Sequence, residues 1–375
     1  MQFVRVDERI WGRKMNLDKI LSDEYYTFLG ENNNVAFYSL SIGLEEYFKT
    51  YRRVAIVLSR YDRNNKNSIN SKTKERARYV KSYLNIAIHI QHFFEIETKR
   101  LLENQNILFA VDDKGDPIIL NKLINNMDLT EEDTKSLKSV EFSEAIKRLK
   151  RLVEKGIITD ETAKLFTDNY KLMNALNAVR NTILHRGKRI MLYCELDEFF
   201  SQAVLPLIKE VLNCQYYKWY LEEFKRNGIY DSICNIVIEG KNSTVDYSQI
   251  AYEKEIARSK LTLKKIPINI GKEDEEYIQK IVARRLKPYV EEKYVYDNKC
   301  PCCQNRIMFH GREIIDYDIE ELGDEMSSLG NFQTIQIPEY AEYYECGLCG
   351  FFCTDFFEGV EVHNQSVKDF FMKEY

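Results

Sequence analysis

The chain has 375 residues, and 54 Lys and Arg against 59 Asp and Glu give it a formal net charge of −5. This charge excludes a surface that is basic throughout, so any nucleic-acid contact must come from a local basic patch. The N-terminal sequence lacks an apolar core of signal-peptide length, and no stretch approaches the roughly 20 apolar residues of a membrane span. We therefore expect a soluble, cytoplasmic protein without a membrane partner, built from two or three domains.

The first part of the chain is predicted to be helical. Most of residues 1–72 have helical character, although the polar stretch 62–72 is typical of a loop. A long helix is predicted over about 73–103, where Val80, Leu84 and Ala87 recur at three- and four-residue spacing.

Three further helices are predicted, over 134–155, 159–187 and 191–226. The second begins at an acidic start signal and ends at Gly187, a typical C-cap residue. Four long helices with short or moderate connections predict an antiparallel bundle.

The remaining sequence is less regular. Residues 234–238 are compatible with a short strand, and residues 273–285 with a helix. The predicted domains are an N-terminal helical extension (1–72), a helical bundle (73–226), a mixed connecting region (227–292) and a cysteine-rich domain (293–375).

Six of the nine cysteines lie between residues 300 and 353. Cys300 and Cys303 form one C-x-x-C pair, and Cys346 and Cys349 form another. Two such pairs complete a tetrahedral zinc site, so the sequence predicts one Zn²⁺ bound by these four residues. Because four thiolates fill the coordination sphere, the predicted zinc is structural rather than catalytic.

The predicted zinc domain is similar to a β-rich zinc ribbon. Gly347 and Gly350 permit the tight backbone of the second pair. Residues 304–345 separate the pairs, which exceeds the roughly 15–20 residues of a minimal ribbon, and an insertion around 316–338 would explain the difference. Cys302 and Cys353 are left over, and either they pack nearby or one of them replaces a ligand. Loss of a ligand is expected to unfold this domain and leave the bundle largely intact.

A second motif closes the helix before Gly187. Arg180 is followed five residues later by His185, with Asn181 directly after the arginine. An arginine can hold a phosphate through two hydrogen bonds, and a neutral histidine can accept a proton near pH 7. Asn177, Asn181, Arg186 and Lys188 are predicted to border this site and to contact substrate.

The segment 176–187 resembles the HEPN superfamily, in which an Arg, a short spacer and a His lie at the end of a helix in a helical bundle. The earlier segment 90–99, which contains Glu95, is similar to the acidic first helix of many members. The resemblance covers about 73–226. It implies a mainly α fold in which a HEPN-like antiparallel bundle precedes the small zinc ribbon, with Glu95 supporting the site.

What the resemblance implies is a metal-independent endoribonuclease of a bacterial defence or toxin type. His185 would accept the 2′-hydroxyl proton and Arg180 would stabilise the phosphate, which leaves 2′,3′-cyclic phosphate and 5′-hydroxyl ends. A five-residue separation places Arg180 and His185 about 140° apart on an ideal helix. A homodimer that joins two such helix ends would bring the groups together, and a neutralising or trigger protein is a further possible partner.

Two other interpretations remain open. His185 can interact with the last carbonyls of its helix, and Arg180 can form a structural ion pair with Glu95. The chain would then be a non-catalytic adaptor that binds a nucleotide or a protein and carries a structural zinc.

Overall fold

This computed structural model describes residues 34–59, 65–73, 76–112, 116–125, 127–128, 130, 133, 137–187, 189–264, 295–296, 299–304, 308–321, 334–357 and 360. Over these residues the protein is mainly helical, with a small antiparallel sheet near the C-terminal end. The helices are α1 (Val35–Leu58), α2 (Lys66–Thr73), α3 (Ala77–Gln105), α4 (Pro117–Ile124), α5 (Phe142–Glu154), α6 (Glu161–Asp168), α7 (Tyr170–Arg186), α8 (Tyr193–Phe199), α9 (Leu205–Asn213), α10 (Lys218–Arg226), α11 (Ile229–Glu239) and α12 (Tyr247–Lys264). The strands are β1 (Val295–Tyr296), β2 (Met308–Glu321), β3 (Thr334–Cys346) and β4 (Phe352–Thr354). No helix in these ranges combines the length and the apolar character needed to cross a membrane.

Helices α1 and α3 form the centre of the core, and their contact is more extensive than that of any other two described helices. Asn34 starts α1 because its Oδ1 accepts a hydrogen bond from the Phe37 N–H at 3.2 Å, a typical N-cap. Tyr47 and Phe48 of α1 and Phe93 of α3 are completely buried. The core is therefore continuous across residue 72, where the sequence suggested a boundary between an extension and the bundle.

Two of the predicted helices are interrupted. The segment 159–187 divides at Asn169, which ends α6 and precedes α7. The segment 191–226 contains a π-helical turn at Phe200–Val204 and a 3₁₀ turn at Gln215–Tyr217. Pro206 follows the π turn, and because proline has no N–H, a regular α-helical hydrogen bond cannot form there.

Three shorter predictions were wrong or too long. Residues 66–72 of the predicted loop 62–72 belong to α2, and residues 137–141 of the predicted helix 134–155 precede the start of α5. The predicted strand 234–238 lies in α11, where Ile229, Ile233 and Val237 are buried at helical spacing. A short apolar run fits a strand or a buried helix equally well, which explains this error. The predicted helix 273–285 lies outside the described residues.

The sheet has the order β1-β2-β3-β4, and all neighbouring strands are antiparallel. Strands β2 and β3 form a long hairpin that pairs from Met308↔Cys346 to Glu321↔Thr334, with an irregularity between Ile314 and Asp316. The extra sequence between the two cysteine pairs therefore extends this hairpin, and residues 322–333 lie outside the described part. The prediction of a mainly helical protein with a small β-rich C-terminal unit is confirmed.

The sheet packs against α1 and α12 and shares the helical core. The Tyr51 ring stacks on Phe357 with 4.6 Å between ring centroids. The buried Glu255 of α12 accepts a hydrogen bond from the Phe352 N–H at 2.9 Å. Arg258 binds Glu255 and also donates to the Gly350 carbonyl. These contacts join α12 directly to the cysteine-rich part of the sheet.

An ion pair inside the core joins α8 to α12. Lys254 Nζ lies 2.7 and 2.8 Å from the two carboxylate oxygens of Asp197, and both side chains are fully buried. The ammonium group also lies 4.2 Å from the centroid of the Tyr193 ring, a favourable cation–π distance. This buried pair fixes the two helices relative to each other.

Lys254→Met is expected to destabilise the protein by about 3–5 kcal/mol, because it leaves the Asp197 carboxylate buried without a cation. Denaturant unfolding followed by circular dichroism measures the change. Lys254→Met combined with Asp197→Leu should recover much of the loss, because a buried pair is often replaceable by apolar residues. Lys225→Met removes an exposed pair with Glu222 and should cost about 0–1 kcal/mol. A Lys254→Met variant as stable as Lys225→Met would contradict this account.

Candidate metal centre and the Arg180–His185 segment

The four predicted cysteine ligands lie together at one end of the sheet. The Sγ atoms of Cys300, Cys303, Cys346 and Cys349 are all within 4.8 Å of one another. Cys300 Sγ is 3.5 Å from Cys349 Sγ, and Cys303 Sγ is 3.6 Å from Cys346 Sγ. A tetrahedron with Zn–S bonds of about 2.3 Å places sulfurs about 3.8 Å apart. The group can hold a metal ion and is compatible with zinc.

The two cysteine pairs have the same backbone turn. The Gln304 N–H donates to the Cys300 carbonyl at 2.9 Å, and the Gly350 N–H donates to the Cys346 carbonyl at 2.9 Å. Both donor residues have a positive φ, 61° and 70°, which glycine adopts freely and glutamine only at a cost. Gly350 therefore has the predicted role in the turn. Gly347 is not among the described residues with a positive φ.

Without a cation, the four crowded and largely buried sulfurs are held as thiols. Hydrogen bonds with the neighbouring thiols, first with Cys303, together with burial raise the pKa of Cys300. Because a metal ion binds thiolates, its binding at such a group releases protons and neutralises the crowded charge. The chemistry of the four sulfurs thus fits a divalent metal with a preference for thiolate ligands.

The two remaining cysteines of this region lie beside the metal centre. Cys302 Sγ lies 3.9 Å from the Ile256 carbonyl oxygen of α12. Cys353 is fully buried on β4, and burial raises the pKa of its thiol. Neither belongs to the group of four sulfurs found among the described residues, as expected if both residues pack nearby.

The Arg180–His185 segment forms the last two turns of α7. The buried Met173, Leu176 and Ile183 hold this helix against the core. Gly187 ends it with a φ of 57°, and its N–H donates to the carbonyls of Thr182 and Ile183. The helix end therefore has the left-handed glycine cap that the sequence predicts.

Asn177, Asn181 and His185 follow one another at four-residue intervals and form one stripe on α7. The two asparagines are half-buried and His185 is exposed. Arg180 Nη1 donates to Asn181 Oδ1 at 3.1 Å. This bond holds the Arg180 guanidinium beside Asn181, which lies about one helical turn before His185. The Cα atoms of Arg180 and His185 nevertheless point about 140° apart around the helix axis.

Glu95 lies near this segment but binds other partners. It accepts hydrogen bonds from Lys99 at 2.8 Å and from Gln91 at 2.9 Å. Burial opposes its ionisation, but these bonds and the positive charges of Lys99 and Arg180 lower its pKa. The described residues contain no Arg180–Glu95 ion pair within 4 Å. The side chain of Arg186 and the whole of Lys188 lie outside the described part of the chain.

A second basic site, which no sequence motif predicts, lies where Arg52 and Arg53 of α1 meet Arg76 and Arg78 at the start of α3. The four residues line a cavity of about 440 Å³ together with residues of the sheet. The only sequence signal is two arginine pairs near the end of one helix and the start of another. Periodicity does not show that these ends adjoin.

The comparisons with known proteins do not identify a family. Comparison of the chain with protein-family models, with curated proteins and with solved structures gave no match. An assignment of function must therefore depend on the chemistry of the residues described above.

Proposed function

We propose that the protein is a metal-independent endoribonuclease in which Arg180 and His185 act on the RNA phosphodiester, as the resemblance to HEPN proteins implies. The observation that carries the proposal is the stripe at the end of α7: an exposed His185 follows Asn181, and Asn181 binds the Arg180 guanidinium at 3.1 Å. A proton acceptor and a permanent cation are thereby placed on neighbouring turns of one helix. The position of this stripe in a mainly helical protein also agrees with a HEPN-like bundle.

In the proposed reaction, His185 accepts the proton of the 2′-hydroxyl, and the 2′-oxygen attacks the adjacent phosphorus. Arg180 stabilises the charge that develops on the phosphate oxygens. Asn181 orients Arg180, while Asn177 can donate to the RNA from the same stripe. The bond to the 5′-oxygen breaks, so the products carry a 2′,3′-cyclic phosphate and a 5′-hydroxyl.

The proposed metal is a structural Zn²⁺ bound by Cys300, Cys303, Cys346 and Cys349. Four thiolates leave no open position for a substrate or a reactive water. The ion would stabilise the sheet and its contact with α1 and α12, while the reaction takes place at α7. Reduced thiolates of this kind persist in the cytoplasm, which fits an intracellular RNA substrate.

We further propose that the active form is a homodimer in which two α7 ends adjoin, with one groove for RNA. A C2 axis pairs the same surface of both copies, so Arg180 and His185 of each would enter the groove. Such a nuclease would act as a toxin or antiviral defence protein, and a neutralising or trigger protein would control it.

A second candidate function is favoured by a different surface. A cavity of about 420 Å³ lies between α1 and α10, and its aromatic lining includes Phe37, Trp219 and Tyr220. Phe37 and Tyr220 stack with 3.6 Å between their centroids, and Trp219 is 68% exposed. An aromatic surface of this kind suits an adaptor that binds a nucleotide or protein without cleaving RNA.

The test of the proposed function is the chemistry of the RNA ends. Purified protein is incubated with single-stranded or loop RNA and with DNA of the same sequence, and the products are separated and their ends identified. We expect RNA to be cleaved to 2′,3′-cyclic phosphate and 5′-hydroxyl ends. DNA should be intact because it lacks the attacking hydroxyl, and duplex RNA should resist in-line attack because its A-form geometry is regular.

Cleavage should continue in EDTA at a concentration that leaves the bound zinc unchanged by elemental analysis. Products with 5′-phosphate and 3′-hydroxyl ends would contradict the mechanism even if RNA were cleaved. If the protein binds RNA or a nucleotide and never cleaves, the adaptor function is favoured instead.

A further inference from the structure

The arginine cleft, defined by Arg52, Arg53, Arg76 and Arg78, is a concave site at the N-terminal end of α3. The proposed nuclease site lies near the C-terminal half of the same helix. Its volume is about 440 Å³. The positive charge of Arg180 lowers the pKa of Glu95, so these two residues lie near each other. Glu95 follows Ala77, at the cleft end of α3, by 18 residues, which is about 27 Å along the helix. The cleft is therefore separate from the Arg180–His185 segment.

The guanidinium groups of the cleft have few internal partners. Arg53, Arg76 and Arg78 form no ion pair within 4 Å among the described residues. Arg52 pairs with Glu345 at 3.1 Å, and its guanidinium carbon lies 3.5 Å from the centroid of the Phe352 ring. Its Nη1 is nevertheless buried and has no hydrogen-bond partner in the described structure. A buried guanidinium donor without a partner is costly, and the positive charge of Arg52 adds to that of its three neighbours.

The start of α3 adds to the positive potential. Arg76 is the N-cap residue of this 29-residue helix, and its side chain makes no capping hydrogen bond. The first N–H groups of a helix lack intrahelical partners, and the helix dipole favours an anion at this end. Backbone donors and arginine side chains are thus available at one place.

The shape of the cleft limits the class of anion. Four arginine side chains lining one concavity match a compact group with several negative charges and many acceptor oxygens. A run of single phosphodiesters requires an extended groove instead. Glu313 also lines the cleft, and its negative charge offsets part of the positive charge of the arginines.

We propose that the arginine cleft binds a di- or triphosphate group, supplied by a free nucleotide or by the 5′ end of an RNA. Arg53 and Arg78 bind the phosphate oxygens, Arg52 and Arg76 add positive charge, and the N-terminus of α3 contributes backbone N–H groups. The inference does not depend on the proposed ribonuclease activity, since it uses none of the residues of α7.

Isothermal titration of the full chain with inorganic triphosphate tests the proposal. We expect saturable binding by the wild type and at least about a tenfold weaker affinity for Arg53→Ala combined with Arg78→Ala, because charge-assisted hydrogen bonds are lost. Arg151→Ala is the matched control, since Arg151 is exposed on α5 outside the cleft, and it should bind as the wild type does. His185→Ala should also bind unchanged. Circular dichroism verifies that each variant is folded.

Competition experiments identify the source of the phosphate. ATP, a 5′-triphosphorylated RNA and the same RNA with a 5′-hydroxyl are compared as competitors of inorganic triphosphate. Displacement by ATP, or by the triphosphorylated RNA but not by the 5′-hydroxyl RNA, supports the proposal and identifies the ligand. The proposal is overturned if the wild type does not bind triphosphate, or if the folded double variant binds it equally well. If both RNAs bind with equal affinity, and the double variant weakens both equally, the proposal is also overturned. The cleft would then bind the phosphodiester backbone of RNA.

Discussion

Cys346→Ser is expected to remove about one zinc ion per chain and to lower the stability of the whole protein. Apparent binding free energies of structural zinc reach about 10–16 kcal/mol, which equals or exceeds the total stability of a typical domain. Cys346 is fully buried and ends β3. A serine at this position cannot supply the thiolate on which the tetrahedral site depends.

The loss should spread to the helices, which differs from the sequence-based expectation that the bundle stays largely intact. Tyr51 of α1 stacks on Phe357, and Tyr252 of α12 contacts Phe351. Glu255 accepts from the Phe352 N–H. If the cysteine-rich part unfolds, these aromatic surfaces become exposed to water, and α1 and α12 lose buried area.

Elemental analysis, thermal unfolding and hydrogen exchange measure the effect. The matched control is Cys234→Ser, because Cys234 is half-buried on α11 and lies outside the metal centre. It should keep its zinc and unfold near the wild-type temperature. Unchanged zinc content in Cys346→Ser would refute the assignment of this ligand. Faster exchange confined to residues 295–360, with α12 protected as in the wild type, would refute the coupling to the helices.

The sequence predicts those parts of the fold that depend on local pattern. The apolar stripe of α3 extends over many turns, so the predicted bounds 73–103 agree within a few residues with the observed helix Ala77–Gln105. The glycine cap of α7 and the four-cysteine group follow from residue types at fixed spacing. The helix and its cap depend only on residues close together in sequence. The cysteine group is predictable because four thiolates bind one zinc ion in a single geometry, a tetrahedron.

The sequence does not predict features that depend on tertiary contact. No local pattern joins Lys254 to Asp197, which are separated by 57 residues. Arg52 and Arg78 lie on different helices, and their proximity follows only from the packing of α1 on α3. The short run at 234–238 was misassigned because burial rather than periodicity decides its conformation. Long-range packing, which pairs residues far apart in sequence, supplies this missing information.

His185→Ala is expected to reduce RNA cleavage by about 10²–10⁴-fold, the usual effect of losing a general base. The exposed side chain contributes little to packing, so the free energy of unfolding should change by less than about 0.5 kcal/mol. Initial rates of cleavage of a labelled single-stranded RNA measure the loss. Leu184→Ala is the control, since Leu184 is 48% exposed on the same turn, and it should keep its activity.

Arg180→Ala should also lose activity while remaining folded, and a mixture of the two inactive variants then tests the shared site. If the groove combines Arg180 of one copy with His185 of the other, each mixed dimer contains one intact pair. Random exchange would restore about a quarter of the wild-type sites. Recovery of this size supports a dimeric active site. No recovery, with mixed dimers isolated by two different affinity tags, would place each Arg180–His185 pair within one copy. There the bond to Asn181 already holds the guanidinium beside the stripe that ends in His185. Wild-type cleavage by both single variants would show that the reaction depends on other residues.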